Sequence, residues 1–148
     1  MTLTLLEIAR DGAISDPGIK LAGTAAAVCQ GTAEMYKTMG FTPPWIGYLA
    51  VSAGQVVGTC AFKTAPSDGA VEIAYFTFPG QEGQGVATAM ARQLIDIAYA
   101  NDRSLKIIAH TPPERSASNA VLQKIGFLLL GDWEDPVDGP VWEWEYIR

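Results

Sequence analysis

The chain holds few of the residues that build metal and disulfide sites, with two cysteines and one histidine among 148 residues. Cys29 and Cys60 stand in apolar stretches without metal-ligand spacing, so they read as small core side chains in a reduced cytoplasm, and no metal is expected. Positive charge is also scarce, with 10 Lys and Arg against 16 Asp and Glu and a net charge of −6. That balance argues against nonspecific binding to nucleic acid or an anionic membrane, and it favours the approach of a cationic amine. No early segment joins a basic end to a continuous apolar run, because Asp11, Gly12, Asp16 and Pro17 interrupt the start. The expectation is a soluble, untargeted, cytoplasmic protein. There is no internal repeat, low-complexity tract or linker. With 49% hydrophobic content, residues 1–148 suffice for one domain with its own core and are too few for two.

What is present is a patterned alternation of strands and helices. Leu3 to Ala9 reads as a short strand. Asp16 is a plausible N-cap with Pro17 at the first helical position, so a helix is expected to run from Ile19 to Cys29. Gly31 should break or bend it, and Thr32 to Met39 should form a second helix ending at Gly40. Ile46–Ser52 and Gln55–Lys63 read as strands joined by a hairpin at Ala53-Gly54. Alternation from Ala70 to Phe78 predicts a central strand, Val86–Tyr99 an amphipathic helix, Leu105–Ala109 a strand and Ser116–Ile125 a helix stopped by Gly126. A strand through Leu130 or Trp133, a loop over Asp135–Pro140 and a half-buried strand over Val141–Ile147 complete the pattern.

The stretch Pro79-Gly80-Gln81-Glu82-Gly83-Gln84-Gly85-Val86-Ala87-Thr88 joins strand directly to helix. Glycines there let the backbone approach an anion, and the first helical turn offers unpaired N–H groups and a positive dipole end. The implied ligand carries a pyrophosphate. Val86 and Ala87 stand where a Walker loop needs Lys and Ser or Thr, and Thr88 replaces the third glycine of a dinucleotide fingerprint, so neither of those loops is matched.

The loop resembles that of the GNAT superfamily of N-acetyltransferases, Gln/Arg-x-x-Gly-x-Gly/Ala, with Glu82, Gly85 and Ala87 in the three defining positions. A second segment, Arg115-Ser116-Ala117-Ser118-Asn119-Ala120-Val121-Leu122-Gln123-Lys124-Ile125-Gly126-Phe127, resembles the later motif of the branch typified by ribosomal-protein alanine acetyltransferases. It matches at Ser118, Val121, Leu122, Lys124, Gly126 and Phe127 and departs at Arg115, where Asn is usual. Together the two motifs and the strand before the first cover roughly the second half of the chain.

The resemblance implies an α/β domain with a mixed, largely antiparallel sheet flanked by helices, and acetyl-CoA as acyl donor. It implies that Tyr75, Phe76 and Thr77 offer backbone groups to the pantetheine arm and that Gly83, Gln84, Gly85, Val86, Ala87 and Thr88 surround the pyrophosphate. The acceptor would be the primary amine of a small molecule or of a peptide N-terminus. Only a neutral amine can attack a thioester, so a base is required. Glu72 and His110 are the candidates, each with a plainer reading as a salt-bridged strand residue or a turn-fixing histidine. The family's frequent tyrosine acid is replaced by Leu122, which leaves Ser118 as the hydroxyl near the sulfur or simply a helix cap. The same replacement leaves open a non-catalytic acyl-CoA-binding module, and the loop does not exclude a longer acyl group. Glu34, Tyr36, Phe41, Trp45 and Trp133 are candidates to line the acceptor pocket or to pack the core. Glu134, Asp135 and Asp138 read as a solvated loop or a lure for a cation. The aromatic strands near the C-terminus could form a homodimer edge or pack inward.

Overall fold

A computed structural model describes residues 2–147. In chain order the elements are β1 (Thr4–Glu7), α1 (Gly23–Met39), β2 (Gly47–Ser52), β3 (Gln55–Phe62), β4 (Ala70–Thr77), α2 (Val86–Asn101), β5 (Lys106–Thr111), α3 (Ala117–Ile125), β6 (Phe127–Asp135) and β7 (Gly139–Tyr146). The strands form one seven-stranded sheet in the order β1-β2-β3-β4-β5-β7-β6. Every pairing is antiparallel except β4 with β5. This is the mixed, largely antiparallel sheet that the sequence predicts.

The helices sit on both faces. A Cβ at Gly47 would press on Thr32 and Tyr36 of α1, and one at Gly58 would press on Met90 of α2 and on the Phe76 carbonyl. Gly47 lies opposite Ala61, three residues from Gly58 on β3, so the two glycines point to opposite faces. Each lets a helix approach the sheet more closely than any side chain would allow. Tyr36 secures α1: its buried hydroxyl donates to the Ile8 carbonyl and accepts from the Gly47 N–H, both at 2.9 Å. Met90, Ala91, Leu94 and Ala98 form the fully buried stripe of α2.

Four expectations change. Asp16 does not cap a helix, because its carboxylate accepts from the Gly18 N–H at 2.8 Å and closes a local turn, so α1 begins at Gly23. Gly31 does not break α1. It is exposed with open space around it, and the buried stripe Ala25, Cys29 and Tyr36 on either side outweighs its propensity cost of about 1 kcal/mol. The expected loop over Asp135–Pro140 shrinks to a tight turn, because Asp135 Oδ2 accepts from the N–H groups of Val137 and Asp138 (2.9 and 2.8 Å) and the flanking strands run on to it. Strand β5 also runs beyond Ala109 to Thr111, held by pairing to β7 and by the Trp144 indole N–H donating to Thr111 Oγ1 at 3.0 Å. Cys29 and Cys60 are free and buried, and burial pushes the Cys60 thiol up to about 12. Among the described residues no helix is long and apolar enough to cross a membrane.

Candidate active site

Strands β4 and β5 part company midway. Their parallel pairing runs from Ala70↔Lys106 to Ile73↔Ala109 and stops, although β4 continues to Thr77 and β5 to Thr111. Two cavities meet at this gap. The larger, about 430 Å³, is lined by Tyr75, Phe76 and Thr77, by the turn from Gln81, by the start of α2 and by one side of α3. The smaller, about 110 Å³, is lined by Lys63, Glu72, Ala74, His110 and Thr111 among others. Tyr75 and Ser118 belong to both.

The larger cleft has the features of an anion cradle. Gly83 and Gly85 take left-handed backbone (φ 76° and 82°) with open space where a Cβ would stand. Gly85 is the N-cap of α2, no side chain caps the helix, and no acidic residue lies in its first turn, so its leading N–H groups are available to a ligand. Glu82 does not aim its charge freely at this space. Its Oε1 accepts from the Gly80 N–H at 2.8 Å and so holds the turn. Lys124 brings a cation to the cleft from α3. Gly83, Gly85, Val86, Ala87 and Thr88 line it, whereas Gln84 is exposed and does not. Arg115 lies on the other side of α3, beside Trp142 and Trp144.

The smaller cavity is made of side chains brought into a row across the sheet. Glu72 lies opposite Ile108, two residues before His110, and His110 lies opposite Glu143. The alternation of a strand therefore puts all three on one face. Lys63 Nζ is 2.9 Å from Glu72 Oε2, His110 Nδ1 is 3.2 Å from that same oxygen, and His110 Nε2 is 3.1 Å from Glu143 Oε2. The Trp133 indole stacks with the imidazole at 6.4 Å between centroids and 17° between planes. Burial disfavours charge on Lys63, but Glu72, Asp138 and Asp135 outweigh it and hold its pKa above the ordinary value. The backbone N–H groups of Asp138 and Val137 hold the Asp135 carboxyl below its usual range.

The hydrogen bonding of this row is incomplete. His110 Nδ1 and Glu72 Oε2 are both buried, and neither has an aligned hydrogen-bond partner. When the imidazole donates Nε2–H to Glu143, its Nδ1 presents a lone pair, and a carboxylate oxygen faces it. The two atoms stand 3.2 Å apart and that oxygen is already ion-paired with Lys63 Nζ at 2.9 Å, so a proton taken up at Nδ1 would be held against Glu72.

Glu72 and Tyr75 are three residues apart on β4 and so point to opposite faces of the sheet. The parted strands connect the two sides. The Tyr75 hydroxyl donates to the Ser118 backbone carbonyl at 3.2 Å, and burial pushes its pKa up to about 12, with the Ser118 contact pulling the other way. The Ser118 side chain stands in the first turn of α3, whose N-cap is Ser116.

The structure thus brings Glu72, His110 and Ser118 into one cavity. Of the expected pocket residues, Trp133 stands beside His110, while Trp45 packs edge-on against Phe62 and Phe41 against Tyr36. Glu34 is exposed and pairs with Lys37. Sequence reading missed Lys63, Glu143 and the hydroxyl of Tyr75. Alternation along β7 sets Glu143 on the face away from Trp142 and Trp144, but only the strand register puts it beside His110.

A family model for an acetyltransferase (GNAT) domain matches residues 16–128. The N-acetylaspartate synthetase of Danio rerio is 30% identical over 89 residues, which are 60% of this chain and 31% of that protein. RimL, a ribosomal L7/L12 alpha-N-protein acetyltransferase, superposes with a TM-score of 0.64 at 20% identity, covering 84% of this chain and 70% of RimL. AAC(6')-Ib in complex with ribostamycin and coenzyme A superposes with a TM-score of 0.60 at 23% identity, covering 70% of this chain and 64% of that one. The chain therefore spans less than a third of the curated relative and less than two thirds of AAC(6')-Ib.

Proposed function

The chain belongs to the GNAT acetyltransferase family, and on that premise we propose that it is an acetyl-CoA-dependent N-acetyltransferase acting directly on a primary amine, of a small molecule or a peptide N-terminus. In this reading residues 1–148 form a single acetyltransferase domain that works in the cytoplasm. The observation that carries the reading is the meeting of two cavities at the parted strands, one lined by open backbone donors and the other by buried proton acceptors.

Acetyl-CoA supplies an acetyl group activated as a thioester. The N–H groups at the start of α2, the Gly83–Gly85 turn and Lys124 hold its phosphates, and the free edge of β4 from Tyr75 to Thr77 lies along its arm. On the other side, His110 Nδ1 takes a proton from the amine while Glu143 fixes the ring through Nε2. Glu72, steadied by Lys63, accepts a second N–H and orients the nitrogen. One C–N bond forms and one C–S bond breaks, so the sulfur must gain the proton that the nitrogen gives up in net terms. Ser118 Oγ and the Tyr75 hydroxyl are the donors at the shared wall. Strand β6 forms the outer edge of the sheet and exposes Leu128, Leu130 and Trp133; a second copy would pair there in a homodimer.

The test is calorimetric titration with acetyl-CoA and CoA, followed by thiol-release assays with amines and N-terminal peptides. Binding with amine-dependent thiol release is expected. Absence of binding overturns the donor assignment, and binding with no release from any amine overturns the transferase.

A further inference from the structure

Among the described residues, only Tyr75 from β4 and Ser118 from α3 line both cavities. The two touch, with the Tyr75 hydroxyl donating to the Ser118 carbonyl at 3.2 Å. Their contact lies beyond Ile73 and Ala109, where the β4–β5 ladder stops. A phenylalanine would fill the same space with its ring free to shift, whereas the hydroxyl fixes the long axis of the Tyr75 ring at the junction. The apolar floor of the smaller cavity is closed by Ile73, Ala109 and Leu122, each at most 2% exposed and packed into the core. Tyr75 is only half-buried, so its ring is the large apolar side chain that the junction itself presents to a ligand.

A donor with its phosphates at the start of α2 and its arm along β4 brings its thioester to this junction. Its acyl chain must then share the smaller cavity with the attacking nitrogen. The cavity holds about 110 Å³, room for roughly three or four groups the size of a water molecule. An acetyl group and the nitrogen use that space. A butyryl group brings two more methylenes, and the Tyr75 ring stands where they would go. The partner of Tyr75 across the ladder is Cys60, a small and fully buried side chain, so the space beside it is taken up by the ring and would open if the ring were removed.

We infer that the Tyr75 ring sets the length of the acyl group, admitting acetyl and turning away chains of four carbons. This rests on the acetyl-CoA reading and deepens it by naming the residue that limits the donor.

The experiment is calorimetric titration with CoA, acetyl-CoA, propionyl-CoA and butyryl-CoA, which needs no acceptor. The unsubstituted protein should bind butyryl-CoA roughly ten- to a hundredfold more weakly than acetyl-CoA, the scale of overpacking a filled site, with propionyl-CoA between them. Tyr75→Phe keeps the ring and should keep that order. Tyr75→Ala should reverse it, each added methylene then strengthening binding by up to about fourfold. Circular dichroism checks the fold of each variant, and Tyr75→Leu, which shortens the side chain but stays apolar, carries the same expectation should the alanine variant not fold. Butyryl-CoA binding the unsubstituted protein as tightly as acetyl-CoA, or a folded Tyr75→Ala or Tyr75→Leu keeping the original order, would overturn this inference alone. Loss of the order in Tyr75→Phe would overturn it too, by assigning selection to the hydroxyl. Failure of CoA and of every thioester to bind would overturn the donor assignment and this inference with it.

Discussion

The two cavities that meet between β4 and β5 are built from different materials. The larger takes its chemistry from the main chain, through two left-handed glycines, an uncapped helix start and the unpaired edge of a strand. The smaller takes its chemistry from side chains set in a row by register, from Lys63 at the end of β3 through Glu72, His110 and Glu143 to Trp133 on β6. A backbone cradle depends on local conformation, which Glu82 here supports by accepting from the Gly80 N–H. A side-chain row depends on five strands being in step, and one substitution can break it.

The sharpest way to test that difference is His110→Ala. It should lower kcat by about 10²- to 10⁴-fold, the usual contribution of a positioned acid–base group, while calorimetry shows acetyl-CoA affinity little changed. Gly85→Ala should do the converse. Forcing an L side chain into left-handed backbone costs about 1–2 kcal/mol, so acetyl-CoA should bind roughly five- to thirtyfold more weakly, with kcat at saturation less affected. If both variants alter the same parameter, the division of labour is wrong.

The wall between the cavities should give a smaller, mixed effect. Tyr75→Phe removes the hydroxyl that meets the Ser118 carbonyl, and a loss on the order of fivefold in kcat/KM is expected. The same face of the sheet has a pH signature. Cys60 lies opposite Tyr75, and burial holds both groups at about 12, above ordinary values of 9.0 and 10.0. The fold therefore favours their neutral forms. Their contribution is complete below about pH 9 and declines as pH rises towards 12, so urea midpoints should fall across that window. At the far end of the scale, Glu34→Ala should leave both turnover and Tm unchanged, because its partner Lys37 is equally exposed.

The same contrast separates what is legible in the sequence from what is not. The glycine loop, α2 and the α3 motif are contiguous in sequence, so their geometry is written locally. The row around His110 joins residues that lie 33 positions apart in the case of His110 and Glu143, and no periodicity reveals which strands become neighbours. β7 inserts between β5 and β6, and that crossover, rather than any motif, sets a carboxylate on His110. The misplaced start of α1 has another cause: Asp16 and Pro17 fit a helix cap and a turn equally well, and the nearby Gly18 N–H decided for the turn. Gly31 does not interrupt α1 because burial on the opposite side of the helix, invisible in a local window, holds the helix through it.

Tyr75 and Ser118 line both cavities, and this shared wall makes the two ligands thermodynamically answerable to each other. If seating the donor moves that wall and changes the affinity for the acceptor by some factor, the acceptor must change the donor's affinity by the same factor. Selection on the wall for one partner is then necessarily selection on the other.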